Sequence, residues 1–231
     1  MEKLVILIPC FNEEENIAET ILSLPKQVDG FSKTEILLVD DGSTDKTVEL
    51  AKSLGVENII SHPKNLGLGR AFTTGIESAL KMDADVILNF DADGQYCEKS
   101  IPKLLEPIIK GNAQVTIGIR PIMRMAQFSF VKKLLQKLGS FVVSVVAGVW
   151  IQDVTSGFRA IHKSAARDLR IDSSYSYTVE MIIRLARHKF RIVTVPVDVS
   201  GRKVRPSRLV NNNFDYIIKT IKIIFRTIIA R

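Results

Sequence analysis

The stretch DVILNFDADGQY, residues 85–96, decides how this chain is read. A largely apolar run from Val86 to Phe90 stops abruptly at Asp91-Ala92-Asp93. Such a run reads as a buried strand that delivers two carboxylates, one residue apart, at its carboxyl end. Burying unpaired charge is costly, so a basic side chain or a metal ion is expected to meet these acids.

The same pattern recurs on either side. Short β-rich runs at residues 4–9, 35–40, 57–62, 85–91 and 113–118 alternate with helical spacings at 13–24, 44–55, 67–82 and 99–110. Strands that are apolar on both faces, each followed by a helix, predict a mostly parallel sheet covered on both sides. In open sheets of this kind ligands bind outside the carboxyl ends of the strands. That rule singles out Asn12 and Glu13, then Asp40, Asp41, Gly42 and Ser43, then Asp91, Asp93 and Gln95, then Arg120, as groups facing one crevice. The second half is less regular. It reads as a long helix over 127–146 with Lys132, Lys133 and Lys137, a loop over 151–164, a helix over 177–188 and a strand over 191–199. A basic loop, SGRKVRPSRL, and an amphipathic tail follow.

Composition narrows the class. A chain of 231 residues that is 46% hydrophobic can bury a substantial core, which excludes disorder for most of it. A net charge of +7 predicts an anionic partner: a nucleic acid, an acidic membrane surface or a phosphorylated substrate. Aromatics are few and the basic residues cluster late, so no nucleic-acid partner is expected. Cys10 and Cys97 have no metal-ligand spacing and make no disulfide framework, which fits a reducing cytoplasmic setting. The N-terminal apolar run is too short for a signal peptide. No apolar stretch reaches the roughly 18 residues of a membrane span; residues 141–151 fall well short. The expectation is a soluble or peripheral protein. One domain is read, over residues 1–208, with a basic amphipathic helix over 209–231.

Each acidic cluster has a plain structural reading beside a chemical one. Asp91 could cap the next turn while Asp93 is solvated, since Asp-Gly pairs are common in turns. Alternatively, the pair could hold a divalent ion that neutralises a diphosphate leaving group, with the Gln95 amide oxygen as a third ligand. Hard oxygen donors favour Mg²⁺ or Mn²⁺. In LLVDDGSTDKT, Asp41-Gly42 could turn the chain with Ser43 or Thr44 capping a helix, or Asp40 or Asp41 could bind a nucleobase or ribose. The glycines of NLGLGRAF do not form a dinucleotide fingerprint.

IPCFNEEENI, LLVDDGSTDKT, NFDADGQY and DVTSGFRA occur in that order, with GIR after the fifth strand. Over residues 4–209 the chain resembles family 2 glycosyltransferases of the GT-A fold, and most nearly the dolichyl-phosphate mannosyltransferase and polyprenyl-phosphate glycosyltransferase group. That resemblance implies an α/β, Rossmann-like, mostly parallel sheet with helices on both faces. It implies inverting transfer of a hexose, mannose or glucose, from a GDP- or UDP-sugar to dolichyl or polyprenyl phosphate. The expected partners are those substrates, a cytoplasmic membrane surface and, optionally, a membrane-protein partner.

The same resemblance assigns residues. Pro9, Phe11 and Glu13 line the nucleotide pocket, with Phe11 where the family usually has Tyr. Asp41, with Asp40, contacts the nucleoside. Asp91, Asp93 and Gln95 hold the metal and through it the diphosphate, and Ala92 belongs to the nucleotide-sugar site. Arg120 and Arg202 contact phosphate and, with Asp93, form the catalytic set. Ser207 and Arg208 stand where the family often has Ser-Lys, and the preceding KVRP replaces the usual glycine. Lys132 holds the acceptor phosphate, and Ser156, Gly157, Phe158 and Ser207 shape the acceptor side. Two rival readings are a transferase with a soluble or protein acceptor and a nucleotide-binding module without turnover.

Several residues carry readings of their own. Asp153 and Arg159 form a loop ion pair or serve the acceptor. Glu180 pairs with a nearby arginine or, as the preferred reading, faces the site. His62 and His162 are structural. The tail helix lies on a membrane or docks on the domain, with the membrane favoured.

Overall fold

A computed structural model describes residues 1–125, 129–200 and 213–229. Seven strands form one mixed sheet in the order β3-β2-β1-β4-β6-β5-β7. They are β1 (Lys3–Cys10), β2 (Lys33–Asp40), β3 (Asn58–Ser61), β4 (Val86–Asn89), β5 (Val115–Ile119), β6 (Arg159–His162) and β7 (Ile192–Pro196). All neighbouring pairs are parallel except those made by β6, which runs antiparallel to both β4 and β5.

Side-chain alternation along β1 divides the core in two. Leu4, Ile6 and Ile8 point into one cluster with residues of α1 (Ile17–Ser23), α2 (Thr47–Ser53) and α4 (Ile101–Ile109). Val5 and Leu7 point into the other, with residues of α3 (Leu68–Lys81), α5 (Phe130–Ala147), α6 (Lys163–Asp168), α7 (Thr178–Arg187) and α8 (Asn213–Ile229). The layers sit close. A Cβ on Gly75 of α3 would lie 2.3 Å from a Leu7 methyl, so only glycine lets α3 rest on β1.

The strands expected from the apolar runs are present. The exception is β6, which falls where a loop was expected. Only Ala160 and Ile161 of this four-residue strand are apolar, and both are fully buried. Two residues are too few to show a period of two. The insertion of β6 separates β5 from β4, so the 153–157 loop that precedes it emerges beside the carboxyl end of β4.

Beyond β7 the chain runs along the segment that carries the acids. Val199 bridges Tyr96, and the Ser200 amide donates to the Gln95 carbonyl at 2.9 Å.

Helix α8 answers the docking question with two sectors. Ile223, Ile224 and Thr227 are buried, and Arg187 of α7 donates to the carbonyls of Thr227 and Ile228 at 2.6 and 2.8 Å. The tail is therefore docked on the domain. Ile221, Phe225 and Ile229 occupy a separate, exposed sector. No described helix is long and apolar enough to cross a membrane.

Candidate active site

The carboxyl ends of β1 and β2 form one laced wall. Asn12 adopts a positive φ of 53°, and its amide accepts the Thr44 N–H at 2.8 Å while its own N–H donates to Ser43 Oγ at 2.8 Å. The Glu13 N–H donates to Thr47 Oγ1 at 2.7 Å. Pro9 and Glu13 are buried, and Phe11 is half-buried. Asp40 accepts the Ser43 N–H at 3.0 Å. Asp41 is more fully engaged. Its Oδ1 meets His62 Nδ1 at 2.8 Å and accepts the Leu66 N–H at 2.9 Å; its Oδ2 accepts the Gly67 N–H at 2.8 Å. His62, expected to be structural, thus has Asp41 and Thr74 as partners. Asp41 thereby fixes the approach to α3. Gly42, at φ +79°, permits the close pass: a Cβ there would lie 2.5 Å from the Lys64 backbone.

The acid pair sits where β4 ends. Asp91 Oδ1 accepts from Asn89 Nδ2 at 3.1 Å. Its Oδ2 lies against Gly157, where a Cβ would come within 2.2 Å of it. Asn89 Nδ2 also donates to the Gly157 carbonyl at 2.8 Å, and the Gly157 N–H donates to Tyr96 Oη at 2.8 Å. Gly157 is therefore a cradle for Asp91. Burial, then the nearby Asp93 carboxylate, raise the Asp91 carboxyl above its usual range. Asp93 accepts the Gln95 N–H at 3.0 Å. The Ala92 carbonyl faces inward and accepts from Thr20 Oγ1 at 3.2 Å.

Two carboxylates, one pressed into a glycine cradle and raised in pKa by burial and then by its acidic neighbour, fit a hard divalent cation. Gln95 does not join them as expected. Its Oε1 accepts a short hydrogen bond from Arg120 Nη1, and a cation bound at that oxygen would face a guanidinium. Among the described residues no group of three or more His, Cys, Asp or Glu could hold a metal. A divalent ion held at this loop would take Asp91 and Asp93 from the protein and leave its other ligand positions to phosphate oxygens and water.

Arg120 also departs from expectation. It is bound in a bidentate pair, Nε to Asp153 Oδ2 at 2.7 Å and Nη2 to Asp153 Oδ1 at 3.0 Å, with Nη2 also donating to Thr155 Oγ1 at 2.8 Å. The pair is almost wholly buried. Arg120 therefore ties the acid loop, through Gln95, to the 153–157 loop. A cation satisfied in this way is a strut, and direct capture of phosphate would require it to give up these bonds.

Of the two readings of Asp153 and Arg159, the loop ion pair is not formed, since Asp153 belongs to Arg120. Arg159 is fully buried and donates to the carbonyls of Val154, Ser156 and Thr178, each at 2.8 Å. It pins the 153–157 loop to the start of α7, and its charge helps to offset Asp91. Glu180 does not face the site either. It pairs with Arg184 at 2.8 Å and accepts the N–H groups of Asp172 and Ser173, both at 3.0 Å. The 172–174 loop it holds packs on α3, where a Cβ on Gly69 would overlap the Ser173 carbonyl at 1.9 Å.

The acceptor-side residues divide. Ser156 and Phe158 are fully buried, and Phe158 packs on Tyr96 at 5.0 Å between ring centres. They support the acid site from behind and do not line its surface. Thr155 is the part-exposed residue of that loop. Lys132, on α5, is half-buried, and burial followed by the Arg120 charge lowers its pKa. It is the expected acceptor residue that the fold brings near the Arg120 node. Arg202, Ser207 and Arg208 lie outside the described residues. Sequence reasoning missed Asn89, Tyr96 and the structural duty of Arg159. Asn89 was the one visible signal, a polar residue inside an otherwise apolar strand.

Comparison with known proteins places this geometry in a family. The profile of glycosyl transferase family 2 matches residues 5–170. The chain is 30% identical to the UDP-N-acetylglucosamine–dolichyl-phosphate N-acetylglucosaminyltransferase of Methanococcus voltae over 85% of each chain. It is 29% identical to the undecaprenyl-phosphate mannosyltransferase of Micrococcus luteus over 90% of this chain and 87% of that one. Glucosyl-3-phosphoglycerate synthase of Mycobacterium tuberculosis, solved with Mn²⁺, UDP and phosphoglyceric acid, superposes with a TM-score of 0.73 at 18% identity, covering 99% of this chain and 78% of that one. The fold is GT-A.

Proposed function

Because this chain belongs to glycosyl transferase family 2 and is a glycosyltransferase, we propose that it transfers a hexose from a nucleoside-diphosphate sugar to a polyprenyl or dolichyl phosphate. Mannose from its GDP derivative is the favoured donor, with glucose from its UDP derivative next. The observation that carries the reading is the acid pair at the end of β4, with Asp91 held in the Gly157 cradle.

The nucleoside lies along the wall built by Pro9, Phe11, Glu13, Asp40 and Asp41. Asp91 and Asp93 hold Mg²⁺ or Mn²⁺, which when bound supplies positive charge to the departing diphosphate. Lys132 draws the lipid phosphate toward the site. One of that phosphate's oxygens attacks the anomeric carbon, the bond from that carbon to the diphosphate oxygen breaks, and the nucleoside diphosphate leaves with the electron pair. The configuration inverts. The nucleophile is already anionic near neutral pH, so no strong general base is required. The chain's part is positioning and charge. The Gln95–Arg120–Asp153 strut keeps the acid loop and the acceptor loop in fixed register, and Arg202 and Arg208 are assigned to the diphosphate.

The test is turnover of radiolabelled GDP-mannose, UDP-glucose and UDP-N-acetylglucosamine with dolichyl phosphate and Mg²⁺ or Mn²⁺, counting label extracted into organic solvent. Label from one donor, abolished by chelator and by Asp91→Ala, is the expected result. Full turnover by Asp91→Ala or Asp93→Ala with metal present overturns the mechanism. Metal-dependent consumption of a donor with no organic label would move the acceptor to the soluble or protein class.

A further inference from the structure

Asn89, the last residue of β4, is out of place in its strand on grounds of stability. Val86, Ile87 and Leu88 before it and Phe90 after it are apolar and buried, and Asn89 is itself fully buried. Its amide nitrogen donates twice, to Asp91 Oδ1 at 3.1 Å and to the Gly157 carbonyl at 2.8 Å. A carbonyl only accepts, so the nitrogen and not the oxygen of the amide must face this side. The amide oxygen then points elsewhere, and among the described residues it has no hydrogen-bond partner. An unpaired buried oxygen is destabilising, and an apolar side chain would not carry one. The reason for an amide here lies in its two donated bonds.

The bond to Gly157 does not account for it, because that carbonyl also accepts from Tyr177 Oη at 3.3 Å. The bond to Asp91 does. Among the described residues Asn89 is the one side chain that hydrogen-bonds to Asp91. Arg120 and Arg159 act on that carboxylate through charge, while their N–H groups are engaged elsewhere. The two oxygens of Asp91 are thus restrained from different sides, Oδ1 by the Asn89 N–H and Oδ2 by its position against Gly157. A neutral donor suits this task. A lysine or arginine in the same place would also hold the carboxylate, but its charge would cancel the one that a divalent cation must meet. An amide fixes the oxygen and leaves the charge.

We infer that Asn89 is a positioning residue for the metal: by holding Asp91 Oδ1 it stops the carboxylate from turning, so that a divalent ion meets a ligand already set. The inference rests on the proposed reading of Asp91 and Asp93 as metal donors. It adds to that reading a residue that binds neither metal nor substrate and acts only through Asp91.

The test reads Mn²⁺ binding to the full chain, alone and with saturating GDP or UDP, by the loss of the free ion's electron paramagnetic resonance signal. Asn89→Leu keeps the branched outline of the side chain and removes both of its polar groups. Its metal-free thermal midpoint is expected to stay close to that of wild type, because the unpaired oxygen goes together with the lost bonds. Its Mn²⁺ dissociation constant should rise roughly 10- to 100-fold, the usual effect of removing a hydrogen-bond partner from a metal ligand. In an Asp91→Asn background the same substitution should change Mn²⁺ binding by less than about twofold, since Asn89 acts through that carboxylate. Turnover should follow the metal, with Asn89→Leu recovering most of its rate at excess Mn²⁺, which a damaged core would not allow. Asn89→Ala is a smaller second variant with the same expected shift. Mn²⁺ bound equally by wild type and Asn89→Leu overturns the inference, as does an equal loss in the Asp91→Asn background. So does a metal-free midpoint that collapses in both variants, since Asn89 would then be a residue of the core. Failure of wild type to bind Mn²⁺ with either nucleotide would strike the metal reading itself, and the inference with it.

Discussion

Replacing Gly157 by alanine tests the acid site without touching an ionisable group. Gly157 has no positive φ, so alanine suits its backbone. The added methyl would lie 2.2 Å from Asp91 Oδ2 and 2.7 Å from Oδ1, against 3.4 Å for ordinary contact. The nearer oxygen must therefore retreat by about 1.2 Å. A carboxylate can rotate away, so the strain falls at the low end of the about 1–3 kcal/mol typical of overpacking, and the thermal midpoint should drop by only a few degrees. The effect on activity should be much larger. A displacement of about 1 Å at a reacting centre costs roughly a hundredfold in rate, and a displaced ligand should also weaken metal binding. The assay is organic-phase label at saturating donor, alongside titration of Mn²⁺ against the donor-free protein. A folded Gly157→Ala protein is expected to show turnover reduced roughly a hundredfold and an Mn²⁺ curve shifted to higher concentration. Full turnover with unchanged Mn²⁺ affinity would refute the cradle argument.

Asp153→Asn leaves the Arg120 guanidinium buried without its counter-charge and should cost about 3–5 kcal/mol of stability, read as a lower urea midpoint. Glu180→Gln removes the buried one of Arg184's two carboxylate partners, leaving Asp172, and weakens the clasp on the Asp172 and Ser173 amides; a loss of about 1–3 kcal/mol is expected, together with faster amide exchange at those two residues. The Lys163 hydrogen bond, helped by the amides of Glu2 and Lys3, holds the Asp85 carboxyl at about 2, below its ordinary 3.8. With the folded-state pKa depressed, this contribution is present above 3.8 and is lost as the pH falls through about 2. Lys163→Met should remove it, lowering stability by no more than about 1 kcal/mol near neutrality because Lys163 is partly exposed, and the difference from wild type should vanish in acid unfolding curves at the low end of that window.

The sheet and the address of its ligand site were legible because both depend on local signals. Apolar runs of β-branched residues make strands, and the rule that ligands sit at strand carboxyl ends then points to Asp40, Asp41, Asp91 and Asp93. What could not be read was pairing at a distance. Nothing within QDVTSGFRA says that Asp153 takes Arg120, 33 residues earlier, instead of Arg159. Nor does a short stretch with two apolar residues announce a strand, since β6 is made by burial between β4 and β5 and not by its own pattern. Glu180 is a further case. Its apolar neighbours show that it is buried, but only the packed 172–174 loop shows what it binds. Gly157 looked like an acceptor-side residue in sequence. Its duty to Asp91 lies in the absence of a Cβ, which has meaning only once the two chains of atoms are brought together.

The disposition of charge gives the basic composition a meaning it did not have as a sum. A surplus of +7 suggested cations free to meet an anionic partner. Yet, among the described residues, the two arginines that act on Asp91 are committed to the protein itself, Arg120 to Asp153 and Gln95, and Arg159 to three carbonyls. They steady Asp91 from within and hold the 153–157 loop. The task of meeting substrate phosphate then passes to side chains nearer the surface: Lys132 on the acceptor side and, in the proposed mechanism, Arg202 and Arg208 on the donor side. Buried cations fix geometry because they cannot leave, whereas part-exposed ones can exchange water for phosphate at little cost. By this argument, neutralising Lys132 should chiefly raise the acceptor KM, whereas breaking the Arg120 pair should chiefly unfold the protein. A Lys132→Gln variant that lost stability and kept its acceptor KM would reverse that assignment.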